Sequence, residues 1–486
     1  MADTKLQPLN KNLKDKAELP VRVLQFGEGN FLRAFVDWII HRMNKELNFD
    51  TGVTVVQPIA QGLIPLLNEQ DGLYTLYLNG LKNGQVVSEH ELIECIQRTV
   101  NPYENFGAYL KEAENPDLRF IISNTTEAGI TYNDTDAMDV APPNTFPAKL
   151  TVFLFHRYSH FRGAADKGCI IIPCELINRN GDKLKVIIEQ YADLWDLGNT
   201  FVEWIENHCI FCNTLVDRIV PGYPRDRIES IWKELGYHDQ LVSEGEQFHL
   251  WVIEAPKQVA EEFPAHKAGL NVLFTDDMAP YRTRKVRILN GAHTSLVPVG
   301  YLYGIETVRE AVEDDTIGPF IKKLVFDEII PTLDLPEEEL QSFANDVLDR
   351  FKNPFIKHYL ISISLNSTSK YKTRVLPSLL EFHKRTGKLP RRIVFALAAL
   401  IRFYKGEIDG KNIPLKDDAD RIEFLQGLWY SFEQKDIDLS GLVGAILKQE
   451  SYWGEDLLEV EGLQALTTIF LARMLDGGIA EGLKAI

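Results

Sequence analysis

Hydrophobic and polar positions follow two different patterns along this chain. The earlier part carries short apolar runs that stop abruptly in polar or glycine residues. They are "VRVLQF" from Val21 to Phe26, "GVTVVQP" ending beside Gln57, "LRFIISNTTE" from Leu118 and "GCIIIPCEL" from Gly168. Runs of this length bounded by turn residues predict buried strands. After the first run, Phe31, Ala34, Phe35, Trp38, Ile39 and Met43 recur at helical spacing from Asn30. Strands alternating with helical segments predict an α/β domain, a parallel sheet with helices on its faces. In such sheets the chemistry gathers at the C-terminal ends of the strands.

From about Thr283 helical periodicity takes over, predicting helices over 304–330, 336–351, 372–386, 390–405, 420–434 and 439–450. The run "IVFALAALI", Ile393 to Ile401, is too short to cross a bilayer and reads as a buried helix. The glycine-bearing end, "LDGGIAEGLKAI", reads as peripheral. A chain of 486 residues exceeds one compact core. The expected division is a polar leader over 1–20, an α/β domain over 21–282 and a mainly helical domain over 283–486.

Charge narrows the partners. Seventy acidic against 52 basic side chains give a formal net charge of −18, and no basic stripe could track a nucleic-acid backbone. Nucleic acid and membrane are therefore not expected partners; a small molecule is. Five cysteines do not make a disulfide framework, and the polar N-terminus is not a secretory signal, so the expected location is a reducing cytoplasm.

Two stretches carry candidate chemistry. "VRVLQFGEGNFLRAF" is a strand, the turn Gly27-Glu28-Gly29, and a helix. Such a turn lets backbone approach a pyrophosphate at the positive end of a helix, although glycine also serves plain strand-to-helix turns. The usual third glycine is replaced by Leu32. The second strand ends in Gln57 and Pro58 rather than an acid, and no Lys or Arg lies between Lys45 and Lys82 to take the extra phosphate of NADP. The expected cofactor is therefore NAD, with Gln57 as a neutral ribose partner.

The other stretch is "KVRILNGAHTSL", Lys285 to Leu296. On an ideal α-helix Lys285, Asn290 and His293 fall at about 0°, 140° and 80°, one broad face. A lysine of lowered pKa is a base for an alcohol proton, and asparagine and histidine donate to a developing oxyanion. The same residues also suit a snorkelling lysine, a helix-capping asparagine and a satisfied buried histidine.

"FGEGNFLRAF", "NEQDGLYTL", "SNTTEAGI", "NTLVDRIVP" and "KVRILNGAH", in that order, resemble the mannitol dehydrogenase family of polyol-specific long-chain dehydrogenases and reductases. The resemblance runs from about residue 20 to beyond 400. It implies a Rossmann-type N-terminal domain, a mainly helical C-terminal domain, a cleft between them and metal-independent hydride transfer. It implies Lys285 as general acid/base, Asn290 in the oxyanion hole and His293 on the reacting oxygen. The expected cofactor contacts are Phe26, Gly27, Glu28, Gly29, Asn30, Phe31, Gln57, Asn124 and Thr125, and Asp217 and Lys370 match substrate-pocket positions.

Two positions depart from the polyol enzymes: Leu176 stands for an oxyanion-hole asparagine and Ser362 for an arginine. "VVQP", "PCELI" and "NPFIKHYLISISLNSTSKYKTRVLP" are instead similar to the tagaturonate reductase branch, which interconverts D-tagaturonate and D-altronate with NAD(H) in hexuronate breakdown. Fructuronate reductase, a polyol dehydrogenase and a catalytically silent dinucleotide or sugar-acid sensor are the alternatives. A sugar acid needs a cation for its carboxylate. Lys370 and Arg374, spaced i,i+4 if helical, are expected there, with Arg282 or Arg287 as further candidates. The expected assembly is a monomer or small homo-oligomer.

No metal is expected. "HCIFC" (His208, Cys209, Cys212) lacks a second ligand pair, and His156 and His160 lack the glutamate of a zinc-protease motif. With Arg157 and Arg162 beside them, these histidines read as an exposed basic helix end. The acidic runs Glu313–Asp315 and Pro336–Leu340 read as solvated helix starts.

Overall fold

The computed structural model describes residues 6–82, 84–126 and 128–486. The chain divides into two compact units, residues 1–79 with 87–278 and residues 80–86 with 279–486. Among the described residues no helix is long and apolar enough to cross a membrane.

The first unit is built on a six-stranded sheet: β1 (Val21–Phe26), β2 (Gly52–Val56), β3 (Ile96–Val100), β4 (Phe120–Ser123), β5 (Ile170–Pro173) and β6 (Ile210–Phe211). Every pairing is parallel and the spatial order is β3-β2-β1-β4-β5-β6, the doubly wound Rossmann order. The apolar runs are continuous because both faces are buried. Val23, Val53, Phe120 and Ile170 feed one core, while Leu24, Val56, Ile121 and Ile171 feed the other. The order reverses beside β1, so the turns after β1 and β4 flank the switch point.

Ahead of β1, Gln7–Pro8 pairs in parallel with Tyr237–His238, and Leu9 is fully buried with Leu73 and Tyr237. At the helix ending at His160 the expected exposed basic end holds for His160 and Arg162, which are exposed, but not for Arg157. Arg157 is wholly buried, donating to the carbonyls of Ala113, Asn115, Leu118 and Lys167 at 2.8–2.9 Å. His156 instead meets Glu114 at 3.2 Å.

After β1 the chain runs as Asn30–Leu32, a π-helical segment Arg33–Asp37, and α1 (Trp38–Leu47). In the second unit a π-helical segment, Lys285–Asn290, passes directly into α2 (Gly291–Tyr303). Then come α3 (Ser367–Arg374), α4 (Arg391–Phe403) and α5 (Leu463–Leu483). The core is α4, whose residues Ile393–Ile401 are at most 2% exposed, packed on α2 and α5. The expected continuous helix over 304–330 is broken. Thr307 forms a capping box with Glu310, and Asp314 accepts from the N–H groups of Thr316 and Ile317, so two separate helices start there. The C-terminal stretch is exposed or half-buried over most of its length, as expected, but is docked at Ile479 and Gly482. Helix α5 bends through Gly477 and Gly478, Ile479 is 3% exposed, and a Cβ at Gly482 would meet Phe395 Cε2 at 2.8 Å.

Candidate active site

In the first unit, β1 delivers the fully buried Phe26 to the turn. Gly27 sits at φ +124°, and a Cβ there would meet Leu32 Cδ1 at 2.9 Å and the Asn124 carbonyl at 3.1 Å. Only glycine fits. Gly29 differs, since a Cβ there would meet nothing within 4 Å. Its bareness leaves open space beside the turn, as a dinucleotide cradle requires.

The buried guanidinium of Arg33 fixes the turn. It donates to the Glu28 carbonyl at 3.1 Å, to Asn30 Oδ1 at 2.7 Å and to the Leu241 carbonyl. Asn30 is thereby held in place, and Phe31 stacks on Phe35 with centroids 5.1 Å apart. Arg33 escaped the sequence reading, although an arginine directly before two core positions, Ala34 and Phe35, was its signal.

Gln57 lies at the end of β2, 1% exposed, its Nε2 donating to the carbonyls of Ile59 and Ala60 at 3.0 and 3.2 Å. Across the switch point Asn124 donates to the Cys174 carbonyl at 2.8 Å. Glu175, 2% exposed, accepts from Thr125 N, Thr125 Oγ1 and Ser123 Oγ at 3.0–3.1 Å. One buried carboxyl thus cross-links the ends of β4 and β5. Burial pushes its pKa up against the pull of those donors. Leu176 beside it is 59% exposed. Asp217, 7% exposed, ends a strand paired antiparallel with Leu250–Glu254.

In the second unit Lys285, Asn290 and His293 all lie on the segment running into α2, but not as an α-helix arranges them. Lys285–Asn290 is π-helical, and the Gly291 N–H reaches the Val286 carbonyl five residues back. A turn closed by i→i+5 bonding places Asn290 over Lys285, where α-geometry would leave them about 140° apart. His293 follows one α-turn later on the same side. The π-turn therefore aligns the three residues more closely than their spacing suggested.

Asn290 does not cap a helix: the backbone stays helical through it, and its side chain makes no capping bond. Its amide has no hydrogen-bond partner among the described residues. His293 stacks on Phe351 with centroids 4.2 Å apart and meets His358 edge-on at 5.0 Å. Its Nε2 is buried without a partner. The histidine is thus enclosed but not satisfied. Its pKa falls well below the usual histidine range, first through burial and then through His358, Arg350, Arg374 and Lys370, so the ring is neutral near pH 7.

Those cations come from elements packed on this segment. Lys370 and Arg374 occupy one face of α3, as their i,i+4 spacing predicted. Gly291 allows the approach, since even a Cβ there would lie 3.2 Å from the Arg374 carbonyl. Arg287 ties the helices together by donating to the Thr373 carbonyl at 2.6 Å, which engages it structurally. Lys370 Nζ donates to the Ile363 carbonyl at 2.7 Å. Arg374 is half-buried, its pKa lowered by burial, and meets no carboxylate among the described residues. His358 and Phe351 were not singled out from sequence. Ser362 is exposed, and Arg282 is half-buried.

All five cysteines are free and buried. Among the described residues no three His, Cys, Asp or Glu side chains stand together as a metal ion would require.

Comparison with known proteins bears on both units. Residues 21–267 match the mannitol dehydrogenase Rossmann domain and residues 277–474 the mannitol dehydrogenase C-terminal domain. An altronate oxidoreductase of Enterobacter sp. (strain 638) is 48% identical over 482 residues, covering 99% of this chain and 100% of that protein. One from Yersinia enterocolitica is 47% identical over 481 residues, with the same coverage. Among solved structures, D-sorbitol dehydrogenase in substrate-free form superposes with a TM-score of 0.80 at 20% identity, over 98% of this chain and 100% of that one.

Proposed function

The chain belongs to the mannitol dehydrogenase family, oxidoreductases acting on CH–OH groups, and from that premise we propose that it interconverts D-altronate and D-tagaturonate with NAD(H). The observation that carries the substrate class is Arg374. A half-buried guanidinium without a carboxylate partner, beside Lys370 and close enough to act on His293, suits a substrate that brings its own carboxylate. A neutral polyol would leave that charge uncompensated.

NAD, when bound at the Gly27–Gly29 turn, supplies the hydride acceptor. Lys285 takes the proton from the substrate hydroxyl in oxidation and returns it to the ketone oxygen in reduction. Asn290 donates its amide hydrogen to that oxygen, and His293 presents Nε2 as a second, neutral donor. A neutral ring already enclosed by Phe351 and His358 needs little reorganisation as charge develops. No metal ion takes part in this reading.

The test is NADH oxidation by the purified protein with tagaturonate, fructuronate and fructose side by side, NADPH and a chelator serving as controls. Fast turnover of tagaturonate alone, unchanged by chelator, is expected. Arg374→Gln should then raise KM for tagaturonate about 10-fold or more, the scale of a lost charge-assisted hydrogen bond. Equal turnover of fructose, or a KM unmoved by Arg374→Gln, would remove the sugar-acid assignment.

A further inference from the structure

The first unit holds a buried carboxyl that the mechanism above does not use. Glu28, between the two turn glycines, is 6% exposed, and its Oε1 accepts the Leu63 N–H at 3.3 Å. Gln57 lies against it. Because Gln57 Nε2 is committed to the Ile59 and Ala60 carbonyls, the amide orientation is fixed, and Oε1 faces the opposite way, buried and without a donor. A Cβ at Gly62 would overlap both Glu28 Oε1 and Gln57 Oε1. Glycine at 62 thus lets the loop close over two convergent oxygen acceptors. Two apolar side chains flank the place: Ile59, 63% exposed, and Tyr103, 37% exposed, whose hydroxyl donates to the Pro58 carbonyl at 3.1 Å.

We propose that Glu28 is the acid that receives the adenosine ribose hydroxyls and rejects a 2′-phosphate, set in place by the Leu63 N–H at the end of the Gly62 loop. This rests on the NAD reading above. Three features support it. Glu28 sits on the turn after β1 yet reaches the end of β2, where a Rossmann sheet holds its ribose. Gln57 Oε1 has no donor and Glu28 Oε1 has one long bond, from the Leu63 N–H, and a ribose diol brings two further donors. The exposed Ile59 and Tyr103 offer the apolar surface an adenine ring needs. The acid that the strand end lacks is then supplied by the glycine turn, and Gln57 Oε1 stands beside it as a neutral acceptor. A carboxylate there would meet the 2′-phosphate of NADP with like charge.

The test is direct binding of NADH and of NADPH to the full-length protein, followed by cofactor fluorescence without substrate. The unaltered protein is expected to prefer NADH by at least tenfold. Glu28→Gln, nearly isosteric, should weaken NADH about tenfold and reduce the NADH-over-NADPH preference by a similar factor. Glu28→Asp keeps the charge but shortens the reach, so it should weaken NADH several-fold while still rejecting NADPH. That split separates ribose recognition from a merely structural role and stands in if the Gln variant fails to fold. An unchanged preference in Glu28→Gln, or unchanged NADH affinity in Glu28→Asp, overturns the assignment of Glu28 alone. Failure of the unaltered protein to bind either cofactor overturns the NAD reading with it.

Discussion

Replacing Asp37 by asparagine probes the support beneath the glycine turn after β1. Asp37 closes the π-helical segment after β1 and is wholly buried. Its Oδ2 accepts two long hydrogen bonds, from Tyr74 at 3.3 Å and from Gln25 at 3.4 Å, while Oδ1 has none. Gln25 also donates to the Gly27 carbonyl at 3.0 Å, which links this site to the turn. Burial pushes the Asp37 carboxyl from 3.8 up to about 7, against the pull of Gln25, Arg33 and Tyr74.

A folded-state pKa above the unfolded one means that the native protein holds this proton more tightly. The resulting stabilisation is fully present below pH 3.8 and is lost as pH rises through about 7. At about 1.36 kcal/mol per pH unit, the ionised carboxylate costs roughly 4 kcal/mol above pH 7. Asparagine cannot ionise, but it also removes the attraction to Arg33, so the net gain at pH 8.5 should be about 1–3 kcal/mol. Urea midpoints for both proteins from pH 5 to 9 read this out. The variant should gain on the parent from pH 5 to a little above pH 7 and hold a constant gap beyond it, the gap narrowing towards pH 5. A pH-independent difference, or a parent more stable at pH 9, would refute the assignment of a raised pKa to Asp37.

Lys285→Ala should cut turnover by about 10³-fold while NADH affinity, measured by fluorescence, stays within twofold; near-normal turnover would exclude Lys285 as the base. Because His293 is held neutral, kcat/KM should show no limb near pH 6.5 that disappears in His293→Asn, and such a limb in a pH–rate profile would contradict the enclosed ring. Gly291→Ala brings a methyl to 3.2 Å from the Arg374 carbonyl, so α3 must shift by a few tenths of an ångström. KM for the sugar acid should rise several-fold, with less effect on kcat, in steady-state kinetics.

The sheet was legible because strands buried on both faces have to be apolar throughout, and each of the four runs from Val21 to Cys174 contains a strand. The helical character of the second unit was legible for the same periodic reason. What was not legible depends on partners distant in sequence. Gly477 and Gly478 look like an ending until Phe395, some 80 residues earlier, is seen against Gly482. Arg157 beside two histidines looks like surface until four carbonyls are found around its guanidinium. In the candidate site the residue types were readable in "KVRILNGAH", but their angular placement was not. An i→i+5 turn leaves no pattern in side-chain polarity, and the apolar residues around it satisfy either helix equally well.

The π-turn at Lys285–Asn290 also determines which changes of length this segment tolerates. It amounts to one residue more than an α-helix would use between Lys285 and α2. Removing a single residue there would restore a regular α-helix with Lys285 and Asn290 four residues apart, still on one face, whereas adding one would swing Lys285 by about 100° away from Asn290 and His293. Most substitutions that preserve the apolar pattern should be neutral by comparison. Over these six residues the count matters as much as the composition, and a one-codon insertion should cost far more than a one-codon deletion.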